Sequence, residues 1–299
     1  MTLPASAPNI LIVDDNHSNI DFLVGLLAEY DISVAIDGER ALEQIAQERP
    51  ELILLDVSMP GMDGYEVCSI IKSNPKTKDI PVLFLSAHTD AESIVKGFDV
   101  GGVDYITKPY RPREVLARVA THLKLKRVLD KLDKLANEDS MTGIANRRSF
   151  FEQANSLFAK AKLEDLPFYI FAVDIDDFKI INDTFGHDIG DEILKLFVDI
   201  VKMELRGVNC FSRFGGDEFV IMMMDINSDE ALNVVHNIQK NISKTHVLLG
   251  ISVDFKVSIG VAEVRRYDKN IDILIKRADI NLYKEKRSKR DHSRIEYNI

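Results

Sequence analysis

Gly215-Gly216-Asp217-Glu218-Phe219 sets two carboxylates beside two glycines, between the apolar runs 210–214 and 219–224. Apolar runs around a Gly-rich turn predict a β-hairpin, because glycine reaches the positive φ values that tight hairpin turns need. One acid suffices for turn chemistry. Adjacent Asp and Glu beside side-chain-free glycines therefore point to a place where a metal ion and a phosphate approach the backbone. A second group lies upstream, where the apolar run 167–173 ends at Asp174 and continues as Ile175-Asp176-Asp177-Phe178-Lys179, then Asn182-Asp183-Thr184-Phe185-Gly186-His187 and Gly190-Asp191. A strand-end carboxylate beside the acidic tip could share a pair of metal ions that bind triphosphate oxygens and activate a hydroxyl for in-line attack on phosphorus. Lys179, and a basic C-terminal helix with Lys286 and Arg290, would neutralise the phosphates.

The first third of the chain carries a different constellation. Short buried strands at 10–13, 52–55, 82–85 and 105–107 alternate with helical stretches at 20–30, 39–47 and 65–72. That alternation predicts a parallel sheet covered by helices on both faces. Each strand ends in a reactive group: Asp14-Asp15, Asp56, Ser86 and Lys108. Ligands of open α/β sheets bind at the carboxyl ends of the strands, so these groups should converge. Three carboxylates suit Mg²⁺, leaving a lysine and a hydroxyl for phosphoryl oxygens.

Between these regions the period changes. No Gly or Pro occurs from 113 to 137, and Leu125, Val128, Leu132 and Leu135 recur at 3-4-3 spacing among charged residues. Two readings stand: a helix lying on its own domain, or the seam of a short coiled coil.

The chain has 299 residues, enough for two domains with ordinary cores. It is 45% hydrophobic and 29% charged, as soluble globular proteins are, and its net charge of −10 argues against general nucleic-acid or anionic-membrane binding. No helix-turn-helix pattern follows the first domain, which argues against a transcription factor. Cys68 and Cys210 are the only cysteines, each within an apolar pattern, and read as small buried hydrophobes in a reducing compartment. Residues 1–8 show no secretion signal, and no apolar run approaches the roughly 20 residues that span a bilayer. A cytoplasmic location is expected.

On Asp14, Asp15, Asp56, Ser86 and Lys108, residues 1–122 resemble a response-regulator receiver domain. The resemblance implies a doubly wound five-stranded α/β fold with Asp56 as phosphoacceptor. It further implies Asp14, Asp15, Asp56 and the Ser58 carbonyl around one Mg²⁺, Ser86 and Lys108 on the phosphoryl group, a cis peptide before Pro109, and Tyr105 as an aromatic switch that turns inward with Ser86. A sensor histidine kinase or small phosphodonor would be its partner. Residues 123–138 would form a helical, coiled-coil-like linker continuous with the last receiver helix.

On the motifs from Asp139-Ser140-Met141-Thr142-Gly143 through the acidic hairpin to Lys286, residues 139–299 resemble a GGDEF diguanylate cyclase domain. That implies a palm-like α/β fold and condensation of two GTP into cyclic di-GMP and two pyrophosphates, with two Mg²⁺ per site. Asp174, the Ile175 carbonyl and Asp217 would hold metal, and Glu218 would be a further ligand or base. Lys179 would stabilise the transition state, Asn182 and Asp191 would read the guanine edge, and Lys286 and Arg290 would hold phosphates. Phe178, Phe185, Phe219 and residues 222–224 read as core, and His187 as a loop residue.

The chain departs from the family twice. The final motif, usually Ala-Lys-x-x-Gly-Arg-Asn, is Glu285-Lys286-Arg287-Ser288-Lys289-Arg290-Asp291. The inhibitory Arg-x-x-Asp is Arg206-Gly207-Val208-Asn209, in which Asn lacks the charge that strengthens bonds to guanine N–H groups, so weak product inhibition is expected. The favoured reading is a homodimeric cyclase activated by phosphorylation of Asp56. The alternative is an inactive receiver–GGDEF module that regulates a protein partner by binding nucleotide.

Overall fold

The computed structural model describes residues 7–87, 91–205, 210–244, 247–248 and 251–296. It divides into two compact units, 1–132 and 133–299. The first unit runs β1 (Asn9–Val13), α1 (His17–Leu26), β2 (Asp31–Ala35), α2 (Gly38–Gln47), β3 (Leu52–Asp56), α3 (Gly64–Ser73), β4 (Val82–Ser86), α4 (Ala91–Asp99) and β5 (Asp104–Thr107). Its strands form one parallel sheet in the order β2-β1-β3-β4-β5. Strand alternation sorts the apolar runs into two cores. Leu11, Val13, Ile53, Leu55 and Phe84 meet Ala41, Ile45, Val67 and Ile71 of α2 and α3 on one face. Ile10, Ile12, Leu52, Leu54, Leu83 and Leu85 meet Ile20 and Leu23 of α1 on the other, which explains why β3 and β4 are apolar at nearly every position. The edge strand β2 is half exposed and has no apolar run, so pattern reading missed it.

Helix α5 (Pro112–Asn137) changes character along its length. Val115, Val119 and Leu123 are buried in the second of those cores, whereas the seam residues Leu125, Val128, Leu132 and Leu135 are 46–61% exposed. An amphipathic helix lying on its own domain would bury that seam.

The second unit continues with β6 (Ala145–Asn146), α6 (Arg147–Glu164), β7 (Phe168–Ile175), α7 (Phe178–Phe185), α8 (His187–Glu204), β8 (Cys210–Gly215), β9 (Glu218–Met224), α9 (Ser228–Ile242), β10 (Val247–Leu248), β11 (Ile251–Ser252), β12 (Val257–Glu263) and α10 (Ile271–Glu296). Its five-stranded sheet is mixed, in the order β12-β7-β9-β8-β6, with β7 antiparallel to both neighbours. Alternation again splits the strands. Phe171, Val173 and Ile175 face the α8 and α9 core, and Phe168, Ile170 and Ala172 face the α6 and α10 core. Phe219 and Met222 are buried as expected, and Phe178 packs against the core. Phe185 differs: it is 39% exposed because it ends the short helix α7, beyond the turn that Ile181 buries. His187 is the exposed first residue of α8.

Candidate functional site

In the first unit the carboxyl ends of β1, β3 and β5 bring Asp14, Asp15, Asp56 and Lys108 together. Carboxylate oxygens of Asp14, Asp15 and Asp56 lie within 4.8 Å of one another, close enough to share one cation. Asp14 is fully buried and Asp56 is 4% exposed. The Lys108 ammonium bridges them, 3.0 Å from Asp14 Oδ2 and 2.9 Å from Asp56 Oδ2, so a positive charge already sits among these oxygens. Burial pushes the Asp56 carboxyl above its usual range; Lys108 opposes this and Asp14 adds to it. Burial also works to lower the Lys108 ammonium, but its bonds to Asp56 and Asp14 outweigh that and leave it raised.

The remaining residues expected there lie close by. Ser58 donates its N–H to Asp56 Oδ1 at 3.4 Å, and Ser86 is buried at the end of β4. The Lys108–Pro109 peptide is cis. Tyr105 is buried, its ring 5.3 Å from that of Phe84, and its hydroxyl donates to the Ser93 carbonyl. Tyr105 is thus inward in the unmodified chain. Sequence reading missed Asn19, whose amide donates to both oxygens of Asp14 at 3.0 and 2.9 Å and fixes that carboxylate from the first turn of α1.

In the second unit the hairpin forms where the glycines predict it. Gly215 pairs with Glu218 across the turn, and Gly216 has φ of 53°, a left-handed conformation that side chains resist. The ladder puts Glu218 of β9 and Ser258 of β12 opposite Asp174 of the central strand β7. The Asp217 carbonyl accepts the Ile175 N–H at 3.4 Å, tying the tip to the end of β7. Asp174 lies in the same alternate file as Ile170 and Ala172, so it faces α10, and there the Lys286 ammonium is 2.5 Å from Asp174 Oδ1. Burial raises the Asp174 carboxyl; Lys286 opposes this, and Asp217 adds to it. The carboxylate oxygens of Asp174 and its neighbour Asp217 are of the type that suits a hard cation, but among the described residues the only three carboxylates gathered closely enough to share one are those of Asp14, Asp15 and Asp56, and on Asp174 the positive charge is the Lys286 ammonium.

The other expected residues occupy the flanks. Lys179 is exposed in the first turn of α7, and Asn182 lies near its end. A Cβ on Gly190 would fall 1.9 Å from Asn182 Oδ1, so only glycine at that point of α8 lets the amide lie against the helix backbone. Asn182 Oδ1 is buried with no hydrogen-bond partner among the described residues. Asp191 follows Gly190 on α8. Arg290 is one turn beyond Lys286 on α10, and its side chain lies outside the described set, as do Arg206 and Asn209 altogether.

Comparison with known proteins assigns a family to each part of the chain. Residues 10–120 match the response regulator receiver domain, and residues 136–292, more than half of the chain, match the family described as diguanylate cyclase, GGDEF domain. The chain belongs to the GGDEF diguanylate cyclase family. It is similar to the response regulator PleD of Caulobacter vibrioides, 33% identical over 294 residues that cover 94% of this chain and 64% of that protein. It is also similar to the probable diguanylate cyclase DgcC of Escherichia coli K12, 30% identical over 175 residues, 58% of this chain and 47% of that protein. The coiled coil and GGDEF domain of DgcB from Caulobacter crescentus, solved in complex with c-di-GMP, share the fold at 24% identity. That match covers 59% of this chain and 94% of that one, with a TM-score of 0.54. No helix among the described residues is long and apolar enough to cross a membrane.

Within the GGDEF domain two further residues act on the hairpin. Arg213 of β8 donates to the Gly216 carbonyl at 2.7 and 3.0 Å and to Asp139 Oδ1 at 3.0 Å. Burial alone would raise the Asp139 carboxyl, but bonds from Thr142 and Arg213 hold it below its usual range. Asn146 meanwhile donates to the carbonyls of Ala136 and Glu138, at 2.8 and 3.4 Å, and so caps the end of α5. The last turn of α5 is therefore linked to the acidic tip through Asn146, Asp139 and Arg213. The only sequence signal for this hook was a basic residue two positions before the glycines.

Proposed function

We propose that this chain is a receiver-controlled diguanylate cyclase that joins two GTP into cyclic di-GMP with release of two pyrophosphates. The observation that carries the reading is the strand-end Asp174, opposite Glu218 on the hairpin and bonded to Lys286 of α10. In each condensation a ribose 3′-oxygen forms a bond to the α-phosphorus of the other GTP, the bond from that phosphorus to the β-phosphate bridge breaks, and the hydroxyl proton passes to a carboxylate, for which Glu218 is placed. Bound Mg²⁺, two per site, would add positive charge at the triphosphate and acidify the attacking hydroxyl from a seat on Asp174, the Ile175 carbonyl, Asp217 and Glu218. Lys286 and Arg290 would hold phosphate oxygens, Lys179 would meet charge developing in the transition state, and Asn182 with Asp191 would bind the guanine edge.

In the receiver, the Asp56 carboxylate would accept a phosphoryl group from a histidine kinase or small phosphodonor. Lys108 and Ser86 would hold its oxygens, one Mg²⁺ would sit among Asp14, Asp15, Asp56 and the Ser58 carbonyl, and Tyr105 would respond together with Ser86. Each domain binds one GTP, so two copies of the chain face each other about a two-fold axis. Asn209 in place of an acidic residue leaves product inhibition through Arg206 weak.

Chromatography and mass analysis of the nucleotides formed from GTP and Mg²⁺ test the reading. The chain should yield cyclic di-GMP, and Asp174→Asn should lower the rate at least about a hundredfold, the scale of losing a group that stabilises transition-state charge. A parent chain that makes no cyclic di-GMP, or an Asp174→Asn chain as active as the parent, contradicts it.

A further inference from the structure

The C-terminal half of α10 is held to the sheet by two residues at the positions where the chain departs from the usual motif, Glu285 and Lys289. Strand β12 is an edge strand, so alternate backbone groups of it point away from β7 and need partners. Glu285 and Lys289 supply them. Glu285 Oε2 accepts the Ile259 N–H at 2.8 Å, and Lys289 donates to the Val257 carbonyl at 2.7 Å. The two side chains also pair with each other at 3.0 Å, one helical turn apart.

Lys289 reaches further, to Ser258 Oγ at 3.1 Å and to Asp176 Oδ2 at 3.3 Å, while the Ser258 hydroxyl donates to the other Asp176 oxygen at 2.7 Å. Both oxygens of Asp176, two residues beyond Asp174, are thus occupied on the side of α10. Earlier in the helix α10 lies directly on β12, where a Cβ at Gly260 would meet the Ala278 carbonyl at 2.1 Å. That contact sets the depth of the helix near Ala278, two turns before Lys286. Beyond it, the pair Glu285 and Lys289 sets the rotation that turns the adjoining helix face, with Lys286, toward Asp174.

We propose that Lys289 is a positioning residue for GTP binding: it holds the Asp176 carboxylate away from the nucleotide phosphates and fixes the face of α10 that carries Lys286. The inference rests on the cyclase reading. Without Lys289, Asp176 loses its cationic partner and keeps the Ser258 hydroxyl as a weaker hold against turning toward the triphosphate, and the helix turn carrying Lys286 loses one of its ties to the edge strand, leaving that of Glu285. Affinity for GTP falls while the groups at the reacting phosphorus remain, so the effect lies in KM more than in kcat.

Steady-state kinetics of the full chain with Mg²⁺ and GTP test this. Lys289→Met should raise KM for GTP about tenfold with kcat changed less than about threefold, as expected for a lost charge-assisted contact that acts on binding. Asp176→Asn added to Lys289→Met should recover most of the KM, because it removes the charge that Lys289 neutralises; a loss of helix packing alone would not be recovered this way. Lys289→Gln keeps a donor for the Val257 carbonyl without the charge, and should show the same KM rise even if Lys289→Met does not fold. A KM within about twofold of the parent in the folded variants, or a double variant no better than Lys289→Met, overturns the inference while the parent remains active. A parent that makes no cyclic di-GMP removes the cyclase reading and this inference together.

Discussion

At the scale of single residues, the proposed reading makes substrate choice rest on Asn182. Its Oδ1 is buried without a partner among the described residues, a state that costs about 1–3 kcal/mol in a folded protein and is kept where a ligand repays it. A carboxamide carries both an acceptor and a donor, which matches the guanine edge, where donor and acceptor atoms lie side by side; adenine offers a different pattern. Replacing Asn182 by Leu should therefore lower kcat/KM for GTP by roughly ten- to a hundredfold and change kcat/KM for ATP much less. Equal losses for the two nucleotides would show that Asn182 shapes the helix packing against Gly190 rather than reading the base. The proposal gives Asp191, on the next helix, the same edge.

At the scale of elements, the proposed control of catalysis by the receiver runs through the long helix α5. Its first half is packed in the receiver core, its seam from Leu125 to Leu135 is exposed, and its last turn is capped by Asn146 next to the hook of Asp139 and Arg213. Replacing Leu129 and Asp130 by glycine costs the helix about 1 kcal/mol per residue and softens it between the two ends. In the full chain this pair should remove the rise in GTP turnover on treatment with beryllofluoride. A rise as large as that of the parent would show that the helix transmits nothing. The helix itself was legible in the sequence, because 25 residues without Gly or Pro and a 3-4-3 apolar seam leave little else to form. So were the buried strands β1, β3, β4 and β7 and the acidic hairpin, whose patterns are local, whereas β12, buried from Val257 to Gly260, was not read. The half-exposed edge strand β2 was not, since an edge strand need not be apolar. Nor was the exposure of Phe185, which depends on where a short helix stops. The contacts of Arg213 with Asp139, and of Lys289 with Asp176, join residues 74 and 113 positions apart, and no local pattern announces them. Residue type marked the strand-end groups Asp14, Asp56 and Lys108; the positioning residues Asn19, Arg213 and Lys289 are ordinary surface types in sequence and show their part only through their partners.

At the scale of the whole molecule, the proposal gives each hairpin tip one GTP, and a product made from two GTP would need two tips. The exposed seam of α5 is an apolar stripe, and on the proposed reading a second copy would cover it and bring two cyclase domains under the control of two receivers. On the proposed reading, phosphorylation at Asp56 would act on the population of the facing arrangement rather than on the chemistry at Asp174. The most direct test is the rate of cyclic di-GMP formation from GTP and Mg²⁺ by the full chain, with and without beryllofluoride, followed as protein concentration is varied. The account predicts cyclic di-GMP as the product, a rate per chain that climbs with concentration in untreated protein, and a higher rate that depends less on concentration once Asp56 carries the phosphoryl mimic. Equal rates with and without beryllofluoride at every concentration, in protein that forms cyclic di-GMP, would contradict control by the receiver, and absence of cyclic di-GMP would contradict the account as a whole.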